Sequence, residues 1–399
     1  MRAQKKVLII TSTFPRSDTD HQVPWLGKLV QSINTSGLEV EVMVPAFKGS
    51  RSYSYHGIKV HRFRYAPTSL EFLTHEEGAV FKLRQKPWLY IIALSYIVFG
   101  CFEVIRLLRQ TRYDVVHVQW PFPNGIFGIL ARYIGKCRLV LTFHGAGFTL
   151  MRRVPFGKKI MHWIISCADV VIANSSFTKK QIVCIKSVPV EIIPFASAVL
   201  TQRLELSHSD SNIKRKFFKI LFVGRLIERK GLIYLIRAVS KLVKSGKNVK
   251  LDIVGDGPLF SSLYKKVVSL DLDENILFHR EVGENQLAGY YKSCDLFILP
   301  SIVDEWGDTE GLGVVLIEAM NFGKPVIASN VGGIGDIVKD GQNGILVTQK
   351  DVQSLVDAIM EIIKHPRRAK QLGGAGRNMI QKHFDWQKII KRSIDIYYT

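Results

Sequence analysis

Two acids, Glu310 and Glu318, stand eight positions apart in the stretch DTEGLGVVLIEAM, residues 308–320. From Gly313 onward this stretch is apolar all round, the pattern of a helix buried on every side. A carboxylate there must find a partner or be neutralised, because burying one bare costs several kcal/mol. Gly311 and Gly313 let backbone N–H groups approach a ligand closely, and a helix beginning near Leu312–Gly313 adds positive potential. Glu310, at the strand-side lip, can grip sugar hydroxyls. Glu318, inside the helix, can accept from a ribose diol. The plain alternative is that Glu310 caps this helix and Glu318 caps a neighbouring one.

A basic constellation lies upstream. Gly224-Arg225-Leu226 follows the apolar run KILFV, and Arg229-Lys230-Gly231 opens the next helical pattern. An arginine on a strand-to-helix loop and a lysine in the first helical turn converge where the helix dipole favours anions, which suits a diphosphate. A merely solvated basic helix start reads the same way. In the first half, His144-Gly145 ends the strand LVLTF; such a histidine can donate to a developing anion or orient a sugar, or be structural. His117, inside DVVHVQW, reads as structural. No Gly-x-x-x-x-Gly-Lys-Ser/Thr loop occurs, and no Gly-x-Gly-x-x-Gly follows a strand. The two Asp-x-Asp pairs, Asp18/Asp20 and Asp271/Asp273, follow no apolar strand and read as turns rather than metal sites.

The elements that must position these residues are short β-branched strands alternating with helical patterns. VLIITS, VEVMVP, DVVHVQW, LVLTFHG and DVVIANS occupy the first half; KILFVG, KLDIVGDG, ILFHREV, LFILPS, KPVIASN and GILV the second. Such alternation predicts parallel sheets with helices on both faces. A polar, aperiodic break near 198–216 separates two doubly wound α/β domains, expected at 1–197 and 212–375. Residues 376–399 read as a last amphipathic helical segment returning to the first domain. In such folds ligands bind beyond the carboxyl ends of the strands, so a cleft between two facing Rossmann-like sheets is the expected site.

The chain of 399 residues carries a formal charge of +21, unevenly spread. Residues 1–197 hold 26 Lys and Arg against 11 Asp and Glu, and residues 198–399 hold 29 against 23. A basic first half suggests a polyanionic neighbour, either nucleic acid or an anionic membrane face. Five cysteines without a Cys-x-x-Cys pair argue for a reducing compartment. The segment WLYIIALSYIVFGCFEVIRLL, residues 88–108, has an uncharged run too short to span a bilayer and reads as a core or interfacial helix.

Together these motifs resemble glycosyltransferase family 4, the retaining nucleotide-sugar transferases of GT-B fold, and within it the transferases of bacterial exopolysaccharide and lipopolysaccharide assembly. The family's Glu-x7-Glu signature is matched by Glu310 and Glu318, and its Gly-Arg-Leu…Lys-Gly motif by Gly224, Arg225, Leu226, Lys230 and Gly231. VGDGP (254–258), LAGYYKSCDLFILPS (287–301) and GGIGDIVKDGQNGILV (332–347) follow in the expected order. The resemblance implies that Arg225 and Lys230 hold the donor diphosphate and Glu318 its ribose. It further implies that Glu310 binds the transferred hexose, that backbone near Arg280 borders the base, and that Gly311-Leu312-Gly313 cradles phosphate and sugar. His144 joins Arg225, Lys230 and Glu310 as the implied catalytic set. The implied chemistry is front-face displacement in which the leaving diphosphate takes the acceptor's proton, with no metal and no cofactor beyond the UDP- or GDP-sugar co-substrate. The implied acceptor is a glycan or lipid-linked hydroxyl, reached from the cytoplasmic face of a membrane on which the basic domain docks. Two departures stand out: members often carry a Gly-Gly pair after the first strand, where this chain offers only Gly27, much later, and HGAG has Gly147 where some relatives have an acid. A sugar- or nucleotide-binding homologue without strong catalysis is the alternative; a nucleic-acid-binding protein gives no reason for the paired acids.

Overall fold

A computed structural model describes residues 5–18, 20, 23–75, 79–195, 216–280 and 282–398. The chain divides into two compact units, Met1–Pro194 with Gln387–Thr399, and Phe195–Trp386. Most of the polar break anticipated near 198–216 lies outside the described residues. The returning segment is shorter than the sequence suggested: helix Pro366–His383 stays with the second unit, where Gly373 lies against the Gly323 carbonyl. Only the helix Trp386–Tyr398 goes back.

The first unit is built on strands β1 (Lys6–Ile10), β2 (Glu39–Pro45), β3 (Tyr53–Tyr55), β4 (Ile58–Phe63), β5 (Val115–Gln119), β6 (Arg138–Phe143), β7 (Val170–Ala173) and β8 (Glu191–Ile192). They lie in the order β3-β4-β2-β1-β5-β6-β7-β8, parallel throughout except for the β3–β4 pair. The central strands are Val/Ile/Leu runs because helices cover both faces, so no residue along them has to face water. Leu8, Ile10, Val116, Val118, Leu139 and Leu141 anchor the core beneath the helices that follow β4, β5 and β6. The terminal helix is tied in by Tyr397, whose hydroxyl meets His117 Nδ1 at 2.7 Å and whose carbonyl accepts from Lys5 Nζ at 2.8 Å.

The second unit carries β9 (Phe218–Val223), β10 (Val249–Val254), β11 (Ile276–His279), β12 (Leu296–Leu299), β13 (Val326–Ser329) and β14 (Ile345–Val347). All six are parallel, in the order β11-β10-β9-β12-β13-β14. Counted from the first strand of the unit this is 3-2-1-4-5-6, the doubly wound order with its switch point between β9 and β12. Crossovers leave that point in opposite directions, so the loops after β9 and β12 part and leave a crevice at the carboxyl ends of the strands. The GRL…RKG and DTEGLG stretches are those two loops.

Candidate functional site

Lys230 is the centre of the switch-point constellation. The sequence places it in the first turn of an α-helix; the structure places it one turn earlier, in a 3-10 turn Glu228–Lys230, with Gly231 as cap of the helix Leu232–Lys244. That turn curls the lysine back over the end of β9 rather than out along the helix. Gly231 makes this possible: its φ is +65°, and a Cβ there would meet the Pro300 carbonyl oxygen at 1.9 Å.

Lys230 is buried, and its Nζ donates to Glu310 Oε2 at 2.5 Å. Arg229 Nη1 lies 3.4 Å from the same oxygen, Arg229 Nε lies 3.4 Å from Asp308 Oδ2, and Ser301 Oγ reaches Glu310 at 3.4 Å. Burial by itself would raise the Glu310 carboxyl, but the charges of Lys230 and Arg229 outweigh it and bring it down to about 2. Burial presses the Lys230 ammonium downward, opposed by Glu310. Arg229 is raised: burial disfavours its charge, and Glu310 and Asp308 more than offset that. The site is thus a desolvated cluster of two cations and an ionised carboxylate, with Arg225 exposed beside it at the end of β9.

Glu310 is held from behind by the loop after β13. Gly333 N–H donates to the Glu310 carbonyl at 2.9 Å, and Gly332, at φ +57°, sits so close that a Cβ would fall 2.0 Å from that oxygen. The GGIGD stretch is therefore a backbone clamp on Glu310. Gly311, Leu312 and Gly313 follow, Gly313 caps the helix Val314–Asn321, and Leu312 and Gly313 are buried. The phosphate-and-sugar cradle expected there has its backbone at the crevice, at the helix's positive end.

Glu318 corrects the expectation of an acid sealed inside an all-buried helix. Leu316, Ile317, Ala319 and Met320 are buried, but Glu318 is only half-buried, and it accepts from the Tyr291 hydroxyl at 2.7 Å. That bond orients one carboxylate oxygen. No side-chain cap bond is made at Gly313, the residue before this helix, and the helix ending at Ser293 meets Glu318 through the Tyr291 hydroxyl. Arg280 is an exposed residue directly after β11 whose guanidinium pairs with Asp256 at 2.7 Å and lies over the Phe260 ring. The VGDGP loop packs on Gly224–Leu226: the Leu226 N–H donates to the Asp256 carbonyl at 2.9 Å.

His144 sits in the first unit, just after β6. Its Nε2 meets Gln119 Oε1 at 2.7 Å, and its ring lies against Trp120 and Trp25 at 4.6 and 5.1 Å between centroids. Burial takes the imidazole down to about 3, so near neutral pH it is an uncharged donor or acceptor rather than a cation. Gln119 also reaches His117 at 3.1 Å, and His117 bonds Thr142 and Tyr397 at 2.7 Å each, so His117 is structural. Among the described residues no group of three His, Cys, Asp or Glu side chains is arranged to hold a metal ion, and all five cysteines are free thiols.

Three participants were absent from the sequence-derived set. Arg229 was legible as the neighbour of Lys230, but its alignment with Asp308 and Glu310 depends on the 3-10 turn. Asp308 is two residues from Glu310 and was readable as part of the same acidic loop. Tyr291 lies 27 residues before Glu318 and carries no local signal.

Comparison with known proteins bears on the family and the fold. A family model described as glycosyl transferases group 1 matches residues 205–379, and one described as Glycosyltransferase Family 4 matches residues 26–195. An uncharacterized glycosyltransferase of Methanocaldococcus jannaschii is 32% identical over 98% of this chain and 97% of its own. The GDP-mannose-dependent alpha-(1-6)-phosphatidylinositol monomannoside mannosyltransferase of Mycolicibacterium smegmatis is 28% identical, covering 71% of this chain and 75% of its own. Among solved structures, the sucrose-phosphate synthase of Thermosynechococcus elongatus superposes with a TM-score of 0.76 at 20% identity, over 99% of this chain and 98% of that one. That last likeness speaks for the fold alone.

Proposed function

The chain belongs to glycosyltransferase family 4, and from that premise we propose that it is a retaining transferase moving a hexose from a UDP- or GDP-sugar to a hydroxyl of a glycan or lipid-linked acceptor. The observation that carries the reading is the Arg229–Lys230–Glu310 cluster at the switch point, with Glu318 one helix turn and a half further along. A bound diphosphate would exchange places with Glu310 as the partner of Lys230 and Arg229, with Arg225 closing from β9. The displaced carboxylate then faces the hexose, and its backbone clamp keeps it there. Glu318, oriented by Tyr291, accepts from the ribose diol.

In this reading the leaving diphosphate takes the acceptor proton on the same face, and the protein supplies alignment and charge stabilisation. Cations already desolvated and held by Glu310 need little reorganisation when charge develops on the phosphate. Neutral His144 orients a hydroxyl instead of carrying charge. The arginines and lysine supply the positive charge, so no metal or cofactor is invoked. The mycobacterial relative's GDP-mannose and phosphatidylinositol monomannoside support the nucleotide-hexose and lipid-linked reading.

The acceptor side points to a membrane. The helix Leu89–Gln110 is long and apolar enough to cross one, yet Leu89, Tyr96, Gly100, Val104 and Leu107 are buried in the first unit. Its other face is apolar too, with Ile91 73%, Leu94 64% and Phe102 64% exposed. A helix anchored on one face and apolar on the other fits the bilayer interface, with Lys86, Arg106 and Arg109 at its ends for anionic headgroups. We infer a peripheral position on the inner face of the cell membrane, with no nucleic acid as partner.

The test is a thermal-shift panel of UDP, GDP, ADP and CMP against wild type and Glu318→Ala. One diphosphate stabilising wild type and much less the variant is the expected result. No shift with any nucleotide would leave a sugar-binding protein without a donor.

A further inference from the structure

Outside the switch point, the first unit holds a cavity of about 1020 Å³ among the helices Ala146–Met151, Gly157–Ser166 and Ser176–Val183. Phe148 and Met151 are buried in its lining and Phe177 is half-buried beside them, while Arg152, Lys159 and Lys180 are exposed at its margin. No acidic residue lines it. Nor is there one nearby in sequence: residues 115–190 contain ten Lys and Arg and a single acid, Asp169, which is spent on Arg132 and the Leu139 N–H. Among the described residues, neither Arg152 nor Lys180 has an acidic partner, and Lys159 lies over the Phe156 ring. The volume is at the upper end of the ~300–1,000 Å³ usual for ligand sites, more than a phosphate or one sugar would fill.

An apolar floor under an unopposed cationic margin suits one chemistry, an anionic head on a hydrocarbon tail. We propose that this cavity binds a single phosphorylated lipid, its phosphate against Lys159, Lys180 and Arg152 and its first carbons over Phe148, Met151 and Phe177. The cavity opens on the helix that begins two residues after His144, so a lipid held there is anchored to the loop bearing that histidine. Binding stands independently; only the role of the bound lipid, as acceptor or acceptor-guiding membrane lipid, rests on the proposed transfer.

Cys184 lines the cavity and is exposed, so it reports occupancy in the unaltered protein. The experiment measures alkylation of Cys184 in the full chain against dodecyl phosphate below its micellar concentration, with dodecanol and inorganic phosphate as separate arms. Saturable protection by one dodecyl phosphate per chain is expected, with neither control protecting at equal concentration. Each cation removed should weaken it about fivefold, so Lys159→Gln/Lys180→Gln should weaken it roughly 25-fold. The same variant should keep the nucleotide-induced thermal shift of wild type. Protection by inorganic phosphate alone would make this a free-anion site, and equal protection by dodecanol an apolar pocket; either overturns the proposal, as does an unchanged constant in the double variant. Loss of every nucleotide shift with dodecyl phosphate binding intact would sink the transferase reading and leave this one standing.

Discussion

Glu310→Gln isolates the switch-point cluster, because the amide keeps the shape of the carboxylate and removes only its charge. Two routes give the size of the effect. Removing one partner of a buried ion pair costs ~3–5 kcal/mol, since the remaining charge is left uncompensated. A carboxyl held at about 2 against an ordinary 4.5 is worth ~3 kcal/mol by linkage. The two converge near ~3 kcal/mol at pH 7. The sign follows from the depressed value: the contribution is fully present above about 4.5 and is lost as pH falls toward about 2. Urea unfolding of the full chain should therefore show the variant well below wild type at pH 7, with the gap narrowing below pH 4.5 to ~1 kcal/mol at pH 3. Ligand binding supplies a second arm. A diphosphate no longer competes with a carboxylate for Lys230 and Arg229, so the nucleotide that stabilises wild type should bind the variant about tenfold more tightly, while transfer falls by ~10² for loss of the hexose contact. A variant within ~1 kcal/mol of wild type at pH 7, with the same acid limb and weaker nucleotide binding, would refute the reasoning: Glu310 would then be a surface acid and Lys230 no phosphate ligand.

Further expectations follow from other contacts. Gly332→Ala puts a Cβ against the Glu310 carbonyl at 2.0 Å with φ +57°, so a loss of more than ~2 kcal/mol and a weakened nucleotide shift are expected, measurable by urea and thermal unfolding. Tyr291→Phe deletes the donor to Glu318; stability should drop by ~1.5–3 kcal/mol and nucleotide affinity with it, whereas an unchanged affinity would detach Glu318 from the ribose. Burial takes His75, His117 and His144 each to about 3, so the unfolded chain binds about three more protons between pH 4 and 6; stability should rise with pH there by ~4 kcal/mol per unit, read from urea midpoints. Because His144 is among them, the pH profile of transfer should show no limb near 6.5. Phe99→Asp/Phe102→Asp should abolish co-sedimentation with anionic vesicles without altering nucleotide binding; sedimentation that ignores lipid charge and this variant alike would remove the helix Leu89–Gln110 from the membrane.

What the sequence conveyed and what it withheld divide along the range of the interactions. Alternating apolar strands and helices announced two parallel α/β units because each strand's burial on both faces is written into its own residues. The spacing of Glu310 and Glu318, and the GRL and RKG turns, are likewise local. Strand order is not: nothing in KILFV or LFILPS says that β9 and β12 are neighbours at the switch point, which is what turns two separate motifs into one site. The helical reading of Arg229-Lys230 failed for a related reason. A 3-10 turn and an α-helical first turn have the same composition, and the choice was made by Gly231 lying against the Pro300 carbonyl, 69 positions away. The question raised by Glu318 had the same kind of answer. Apolar neighbours on both sides implied a buried acid, but the side chain is only half-buried and meets the Tyr291 hydroxyl, 27 positions away. Glu310 meets Lys230 across 80 positions and Glu318 meets the Tyr291 hydroxyl across 27, contacts that no local pattern in the sequence could announce.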